Sequence, residues 1–444
     1  MSTAAAITSH PEVSTPPNVL ATRLPSAVFL GVLALLLFGP LAFGAVEPWA
    51  IFALQAGSLF LIIAWAFLQA FTGELRLTRS GVFLPIAAFA LLIISQLIFH
   101  RTEYQAATIS LLLLYGSYGL LSFLMVQCLQ RRRNYRILLA GFSVYGFLLA
   151  SFALIQGIAS NGKLYWLRHP RFGGRIYGPY VNRNHYAGLM ELLLPFALVL
   201  FLTPGIRPRH KFLAALAATL MASTIFICGS RGGMLAGVAE MAVLAAVILS
   251  RHTTTRMAIT IGAFLLLACG SLAWLGGAEL LHRMLSIPTE MQSELSGGTR
   301  LSIDRDCLKM FLQKPLTGWG FGTFADVYPQ FRSFYTNLSI DKAHNDYLQL
   351  LVETGAVGWL VMIWFLFSVY QSGMKKLQRW PSNAEADVTL AALVAITGIL
   401  VHSFVDFNLQ IPANAALFFV LCAVVGMPLP ERRRVSNHYH DTLS

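Results

Sequence analysis

The sequence predicts an all-α integral membrane protein with about twelve transmembrane helices, on the basis of composition, long apolar runs and charge placement. The chain has 444 residues, of which 56% are hydrophobic and 12% are charged, and its mean hydropathy is +0.64. A soluble domain usually carries about 25% charged residues. This deficit extends along the whole chain and therefore indicates membrane helices instead of one large soluble core.

The apolar runs give the predicted helices in order. A bilayer core of about 30 Å requires about 20 apolar residues in a helix. The runs that qualify, fully or nearly, are 26–46, 49–71, 81–99, 109–129, 137–159, 186–203, 212–228, 233–250, 257–277, 355–371, 388–409 and 412–427.

Basic residues give the predicted orientation, because short cytoplasmic loops are rich in Lys and Arg. With about twelve spans, the basic short loops fall on one side, which places both termini in the cytoplasm. The net charge of +12 does not indicate nucleic acid, since the charges lie in loops between apolar runs. We therefore expect the lipid bilayer as a partner and no nucleic acid. The basic residues of these loops are Arg76, Arg79, Arg131, Arg132, Arg133, Arg136, Arg207, Arg209, Lys211, Arg251, Arg256, Lys375, Lys376, Arg379, Arg432, Arg433 and Arg434.

Two long segments on the opposite side are also basic. They are 160–185 and 278–343, and the alternatives are an anion-binding vestibule or long loops that translocate regardless of charge. The predicted organisation is a disordered cytoplasmic tail (1–24), helices 1–9 with an outer loop at 160–185 (25–277), an outer loop region (278–354), helices 10–12 (355–428) and a cytoplasmic tail (429–444).

The outer loop region is predicted to contain helices. Between Arg300 and Lys314, apolar residues recur at helical spacing and predict a helix that lies on the membrane surface or on the bundle. A turn-rich stretch follows, and a second helix is predicted from near His344 to Gly355.

Arg231 is the first candidate site residue. It lies in Ser230-Arg-Gly-Gly233, between two apolar runs at the predicted outer surface. Arginine at membrane depth is costly and usually has an anionic partner. Flanking glycines let a phosphate approach the backbone closely. We interpret Arg231 as a phosphate ligand; the alternative is a snorkelling arginine at a helix end.

A polar cluster immediately before the sixth run is the second candidate. Asn182, Arg183, Asn184 and His185 precede this run, which contains Glu191 near its start. These side chains are suited to binding sugar hydroxyls and a phosphate. The alternative is a polar helix cap.

His344 is the candidate base. In the first turn of a helix, the helix dipole and nearby arginines disfavour the imidazolium and so favour a histidine that accepts a proton. A bound diphosphate would act in the opposite direction. The alternative is a capping or interfacial histidine. Asn345 beside it is a further candidate for substrate contacts.

His402 and Asp406 lie in the eleventh run, four residues apart and hence on one predicted helix face. An ionisable pair in a membrane helix is a functional hypothesis by default. Near the outer end, Asp406 would orient a histidine or bind an acceptor hydroxyl. The alternative is a hydrogen bond that packs helices.

The outer segments contain few carboxylates, and these are not clustered like a divalent-metal site. If a phosphate leaves here, arginines must neutralise its charge. We therefore expect no metal and no other cofactor.

Several stretches together resemble the O-antigen ligase and O-antigen polymerase superfamily of bacterial envelope glycan enzymes. They occur in the same order on a similar topology, and they span about residues 175–410. These stretches are Gly178–Gly188, Ser230–Gly233, Gly298–Arg300, Pro315–Phe324, His344–Gly355 and His402–Phe407.

The resemblance implies a twelve-helix glycosyltransferase of the GT-C type in the bacterial inner membrane, with its active site facing the periplasm and a helical periplasmic loop region between helices 9 and 10. Members of the superfamily take a glycan from undecaprenyl diphosphate. Ligases pass it to the lipid A–core oligosaccharide, and polymerases pass it to another lipid-linked repeat unit. The ligases use neither a metal nor a nucleotide.

Residue by residue, the resemblance implies that His344 activates the acceptor hydroxyl and that Arg231 and Arg300 hold the diphosphate. Arg183 sits where the family often has a polar residue. One departure is Asp306-Cys307, because many relatives have an aromatic residue a few positions after the arginine that matches Arg300.

The sequence-based hypothesis is a single-step, inverting transfer of glycan to an acceptor saccharide by a ligase-like enzyme. Chain polymerisation is the alternative within the class, because the two reactions differ mainly in acceptor. A lipid-glycan flippase or other transporter is the alternative from another class. A scaffold that binds anionic lipids without chemistry is a third, and it predicts that His344 is dispensable.

Overall fold

The computed structural model describes residues 19–72, 77–169, 177–249, 297–336, 339–378 and 383–428. These residues form helices joined by turns, with no strand among them beyond two isolated bridges. The helices are α1 (Val19–Leu41), α2 (Pro48–Thr72), α3 (Phe83–Ile98), α4 (Gln105–Cys128), α5 (Arg132–Ile158), α6 (Arg183–Leu202), α7 (Pro208–Ile227), α8 (Arg231–Leu249), α9 (Gly297–Gln313), α10 (Asp346–Gln378), α11 (Ala384–His402) and α12 (Pro412–Val425).

The all-helical membrane architecture is confirmed. Eight described helices are long and apolar enough to cross a membrane, and α1, α3 and α12 contribute shorter apolar stretches. Each predicted run except 257–277 overlaps a described helix, and that run lies outside the described residues. The count of twelve spans therefore remains a prediction.

Helices α6 and α11 form the centre of the bundle. In their most apolar windows, 83% of the residues of α6 and 72% of those of α11 are buried, against 28% to 44% for the other candidate spans. α6 packs against α5, α7, α8 and α11, and α11 also packs against α8. Glu191 on α6 and His402 on α11 are consequently enclosed by protein.

The predicted outer helix is confirmed as α9, although its packing differs from the expectation. Ile303 and Cys307 are buried as predicted, but they pack with Met310 into a second apolar core. Leu308 and Leu312 point away from that core and are exposed. α9 therefore has one apolar face in a protein core and a second one exposed. The remaining buried residues of this core are Trp319, Phe324, Val327, Tyr328, Ile340, Ala343 and Val352.

Two predicted helix bounds are wrong in ways that matter for the site. His344 does not lie in the first turn of a helix, because α10 begins at Asp346. The eleventh run does not remain helical to 409, because α11 ends at His402 and a turn follows. Asp406 therefore lies beyond the helix, and His402 and Asp406 do not share a helix face.

The predicted helix end at Gly355 appears as a break inside α10. Gly355 has φ 65° and ψ −167°, a conformation that disfavours any side chain. The N–H groups of Ala356 and Val357 are freed by the break, and they donate to Pro315 O at 2.8 Å and Leu316 O at 3.2 Å. The break thus ties the turn-rich stretch after α9 to α10.

One end of the bundle collects several helix termini. α6, α8, α10 and α12 begin there, and α11 ends there. We call this the site end, and it is the end that the charge pattern predicts to face outward.

Candidate functional site

Asp406 lies at the centre of a polar cluster at the site end. Its side chain is 1% exposed, and it faces charged or polar groups from three other segments of the chain. Oδ1 lies 3.6 Å from His344 Nδ1, and Oδ2 lies 3.7 Å from Arg300 Nη2. The Asn184 amide donates a short hydrogen bond to Oδ2, and His185 Nε2 lies 4.0 Å from Oδ1.

These neighbours determine the charge of Asp406. Burial raises the pKa of Asp406, but the contact with His344 and the nearby His185 and Arg300 lower it more, so the net pKa lies well below its usual range. Asp406 is therefore a carboxylate at physiological pH.

His344 is held in a left-handed backbone conformation, with φ 55°. This region costs a non-glycine residue about 1–3 kcal/mol and occurs often at active sites. The His344 ring packs edge-on against Phe407 at 4.8 Å, and the His185 ring packs against the same Phe407 at 4.7 Å. Two histidines thus lie around one phenylalanine beside the carboxylate.

Arg300 enters the cluster from α9. Its Nη1 donates to Val405 O at 2.5 Å, and its side chain is 32% exposed. Its guanidinium thus contacts both Val405 and Asp406 while a third of the side chain remains open. A guanidinium in this position is suited to binding an oxyanion as well as orienting Asp406.

Arg231 and Arg183 lie beside the cluster, at the starts of α8 and α6. The Arg231 side chain is exposed, and a Cβ built on the next residue, Gly232, would lie 2.9 Å from Val405 Cγ2. The carbonyl of Arg183 accepts a hydrogen bond from Cys228 Sγ at 3.8 Å. The start of α8 thus packs on Val405, the residue that the Arg300 guanidinium contacts, and the start of α6 contacts Cys228 in the turn before α8.

The other predicted substrate ligands are partly engaged in local structure. Asn182 caps α6, since its Oδ1 accepts from Asn184 N at 2.8 Å. Asn345 caps α10, since its Oδ1 accepts from Tyr347 N and Leu348 N, both at 3.2 Å. Asn182 and Asn345 therefore both cap helices at the site end. His185 is buried beside Asp406.

Sequence reasoning missed Asp346 as a positioning residue. Its Oδ2 accepts from Ser403 Oγ at 2.9 Å and from Leu409 N at 3.1 Å, and its own N–H donates to Ser403 O at 2.9 Å. These bonds attach the start of α10 to the turn that carries Asp406. They fix the separation of His344 and Asp406, and no local pattern signals them because the partners are far apart in sequence.

The buried pair of Glu191 and His402 was also missed as a pair. His402 Nδ1 lies 2.8 Å from Glu191 Oε1, and both residues are fully buried. Each residue stood out as a charge in an apolar run, but the sequence does not show that α6 and α11 are neighbours.

Asp306, the departure from the family pattern, anchors the outer core. Its carboxylate is fully buried, and Oδ2 accepts from Ser333 N at 2.9 Å, from Ser333 Oγ at 3.0 Å and from Tyr328 Oη at 3.4 Å. Oδ1 accepts from Lys309 Nζ at 3.0 Å. A carboxylate at this position binds the segment after α9 back onto the helix that carries Arg300.

Replacing Asp306 with alanine is expected to destabilise the outer core by about 3 kcal/mol, because Ser333 and Tyr328 lose a buried charged acceptor. Limited proteolysis of the purified protein should then cleave faster within 324–336. Lys309→Ala is the control, because the Lys309 side chain is 59% exposed and its ion pair contributes little. Equal proteolysis rates for the two variants would contradict the anchoring role.

An apolar groove reaches from the bundle to the site. It has a volume of about 340 Å³ and is lined mainly by side chains of α3, α4, α10 and α12. Asp346 and Tyr347 lie at its polar end, next to the residues that position His344. Glu353 and Gln410 also line the groove, and most of its other lining is apolar or aromatic, including Ile93, Phe321 and Phe419.

The bundle and the cluster define a multi-pass membrane protein with an ionisable site at the ends of its helices. Residues 216–363 match the family model described as O-antigen ligase, and this match confirms the resemblance to the O-antigen ligase superfamily. The match covers a third of the chain, and what it implies for the activity is taken up below as a proposal. The matched stretch contains Arg231, Arg300 and His344, and it ends before Asp406. A search of curated proteins found no match.

Proposed function

We propose that this protein transfers a glycan from undecaprenyl diphosphate to a saccharide hydroxyl, at a site formed by His344, Asp406 and the three arginines. The observation that carries the proposal is the shared carboxylate. His344 and Arg300 both lie within 4 Å of Asp406, although they come from different segments. A base and a phosphate-binding cation around one anion suit the transfer of a group whose leaving group is a phosphate.

In the proposed reaction, His344 accepts the proton of the acceptor hydroxyl as its oxygen attacks the anomeric carbon. The bond between that carbon and the diphosphate oxygen breaks, and the configuration inverts in a single step. Asp406 faces Nδ1, so Nε2 is the atom that takes the proton and Asp406 stabilises the imidazolium that forms. Undecaprenyl diphosphate leaves with both electrons of the broken bond.

Arginines neutralise the leaving group in this proposal. Arg300, Arg231 and Arg183 supply guanidinium groups from three helix starts, and guanidinium binds phosphate oxygens in pairs. The charge that develops on the diphosphate is met by preorganised cations, so the proposed chemistry requires no metal or other cofactor.

The proposed topology has twelve spans of the GT-C type in the inner membrane, with both termini cytoplasmic and the site end in the periplasm. The charge of the short loops supports this orientation. The undecaprenyl tail of the donor would lie in the apolar groove, whose polar end adjoins the segment that carries His344.

Blocking the groove is expected to weaken donor binding selectively. Gly116 lines the groove, and a Cβ at this position would meet no atom within 4 Å, so Gly116→Trp places an indole in the space for the lipid. The KM for the lipid-linked donor should rise about tenfold, which corresponds to about 1.4 kcal/mol of lost apolar contact. KM is measured with donor titrated into proteoliposomes.

Gly141→Trp is the matched control for this experiment. Gly141 also lies on an apolar helix with no atom within 4 Å of a built Cβ, but it does not line the groove. Its KM should equal that of the wild type. An unchanged KM for Gly116→Trp would indicate that the lipid tail of the donor binds outside this groove.

The overall test is reconstitution of the purified chain with a lipid-linked glycan and each candidate acceptor. A new glycosidic bond to lipid A–core indicates ligation, and a bond to a second lipid-linked repeat indicates polymerisation. Movement of the donor across the bilayer without a new bond would indicate a flippase and would reject the transferase proposal.

A further inference from the structure

The proposed mechanism leaves the buried pair of Glu191 and His402 without a role. The pair joins α6 to α11, the two central helices, through a 2.8 Å contact between His402 Nδ1 and Glu191 Oε1. Both side chains are fully buried. Ionisable residues inside a membrane bundle are costly and usually serve a function.

The pair packs directly beneath the start of α8. A Cβ built on Gly232 would lie 2.5 Å from His402 Nε2, and one built on Gly233 would lie 3.1 Å from Glu191 Oε1. Gly233 N donates to Ser230 Oγ at 3.1 Å, and this hydrogen bond links the turn before α8 to the first turn of the helix. The two glycines therefore allow the first turn of α8 to rest on the histidine and the glutamate.

The hydrogen bond determines the orientation of the His402 ring. Nε2 has no hydrogen-bond partner among the described residues, so the bond from Nδ1 to Glu191 fixes how the ring faces Gly232. If the ring rotated, it would collide with the backbone of α8 or leave a gap below it. Arg231, the residue before Gly232, would shift in either case.

We propose that Glu191 and His402 are positioning residues that set the Arg231 guanidinium against the diphosphate of a polyprenyl carrier. This inference rests on the proposed function. Charge-assisted bonds from guanidinium to phosphate depend on geometry, and a displacement of about 1 Å weakens them strongly. The pair acts through the position of Arg231 and does not contact the substrate.

The primary test replaces both members, as His402→Leu with Glu191→Leu. Two apolar side chains remove the hydrogen bond without leaving an unpaired buried charge, so the bundle should keep its melting temperature. We expect the affinity for undecaprenyl diphosphate, measured by titration into protein in nanodiscs, to fall about tenfold. Wild-type affinity in this stably folded variant would overturn the inference.

A double-mutant cycle with Arg231→Ala identifies the residue through which the pair acts. If the pair acts through Arg231, adding the paired leucines to Arg231→Ala should cause no further loss of affinity. If the combined variant instead loses affinity by the product of the factor for Arg231→Ala and the factor for the paired leucines, the inference is overturned. Tyr370→Phe is the control, because it removes the 2.7 Å Tyr370–Thr397 hydrogen bond between α10 and α11, which involves no residue of α8, and it should leave the affinity unchanged.

A second pair of variants covers the case in which the paired leucines fail to fold. In His402→Asn, the amide nitrogen can occupy the place of Nδ1 and still donate to Glu191, whereas His402→Leu fills the volume better and cannot donate. Tighter diphosphate binding by the asparagine variant supports positioning, and equal or tighter binding by the leucine variant overturns it. If the wild type itself binds no undecaprenyl diphosphate, the proposed function fails first.

Discussion

Replacing His344 with alanine is expected to lower glycan transfer by about 10²–10⁴-fold, the usual contribution of a positioned general base. His344 faces Asp406 through Nδ1. The His344 side chain is 19% exposed and the His185 side chain is 9% exposed, so His344 is the more accessible of the two histidines in the cluster. The measurement is product formation at saturating donor and acceptor. Donor binding should persist, because the arginines remain.

The backbone of His344 allows function and folding to be separated. His344→Gly removes the strain of a left-handed φ of 55°, so this variant should be at least as stable as the wild type while it loses transfer. His100 is a matched control, because it also has a positive φ, 50°, and does not face Asp406. His100→Gly should relieve similar strain and keep full transfer.

Substantial transfer by His344→Ala would reject the histidine as the base. The result would then favour the reading in which the basic cluster binds anionic lipid without chemistry. Loss of transfer together with loss of folding would count against the strain argument, since His344 Nδ1 has no hydrogen-bond partner among the described residues for alanine or glycine to remove.

The parts of the fold that depend on local pattern could be predicted from the sequence. Apolar runs located the described helices, whereas the orientation that the basic loops indicate stays a prediction. The helix of the outer region followed from the spacing of Ile303 and Cys307, and the break at Gly355 followed from a glycine after a helical pattern. These features depend on residues within a few turns of one another.

The neighbours of Asp406 could not be predicted, because they are set by tertiary packing. Helical spacing predicted that His402 and Asp406 lie on one face of a helix. The helix instead ends at His402, whose ring turns into the bundle towards Glu191, while Asp406 turns to the cluster. Each of the two residues contacts a partner that is distant in sequence, and spacing along one helix does not indicate which distant segments pack together.

The hydrogen bonds of Asp346 illustrate the same limit of prediction from local sequence. Its sequence context places it at a helix start, where an acidic residue needs no special explanation. Only its bonds to Ser403 and Leu409 identify its role in holding two segments together. A sequence motif identified His344, but the residue that sets its distance to Asp406 became visible only with the packing.

Asp406→Asn is expected to reduce the turnover number for transfer by about 10³–10⁴-fold, the loss seen when an amide replaces the carboxylate that orients a catalytic histidine. The asparagine side chain has no negative charge to stabilise the imidazolium of His344. It also presents an amide group to Asn184, which donates to the carboxylate in the wild type, and to Arg300, whose Nη2 lies 3.7 Å from that carboxylate.

The same substitution should not weaken donor binding. Asp406 lies 3.7 Å from Arg300 Nη2, and its negative charge competes with the diphosphate for that guanidinium. Removing the charge leaves Arg300 more available, so the donor KM should stay constant or fall while the turnover number collapses. Asp341→Asn is the control, because Asp341 is exposed near His344 and should change neither quantity.

The pH dependence separates the carboxylate from the histidines. Burial raises the pKa of Asp406, yet its contact with His344 and the nearby positive charges hold the net pKa well below its usual range. A carboxylate with a depressed pKa contributes stability above the normal range of aspartate, about 3.9, and loses it only in stronger acid. Asp406 therefore stays ionised from pH 5 to 8, and an acid loss of transfer in that range reports on another group. If wild-type turnover followed the protonation of Asp406, or if Asp406→Asn raised donor KM and kept turnover, the carboxylate would be a substrate ligand instead of the partner of His344.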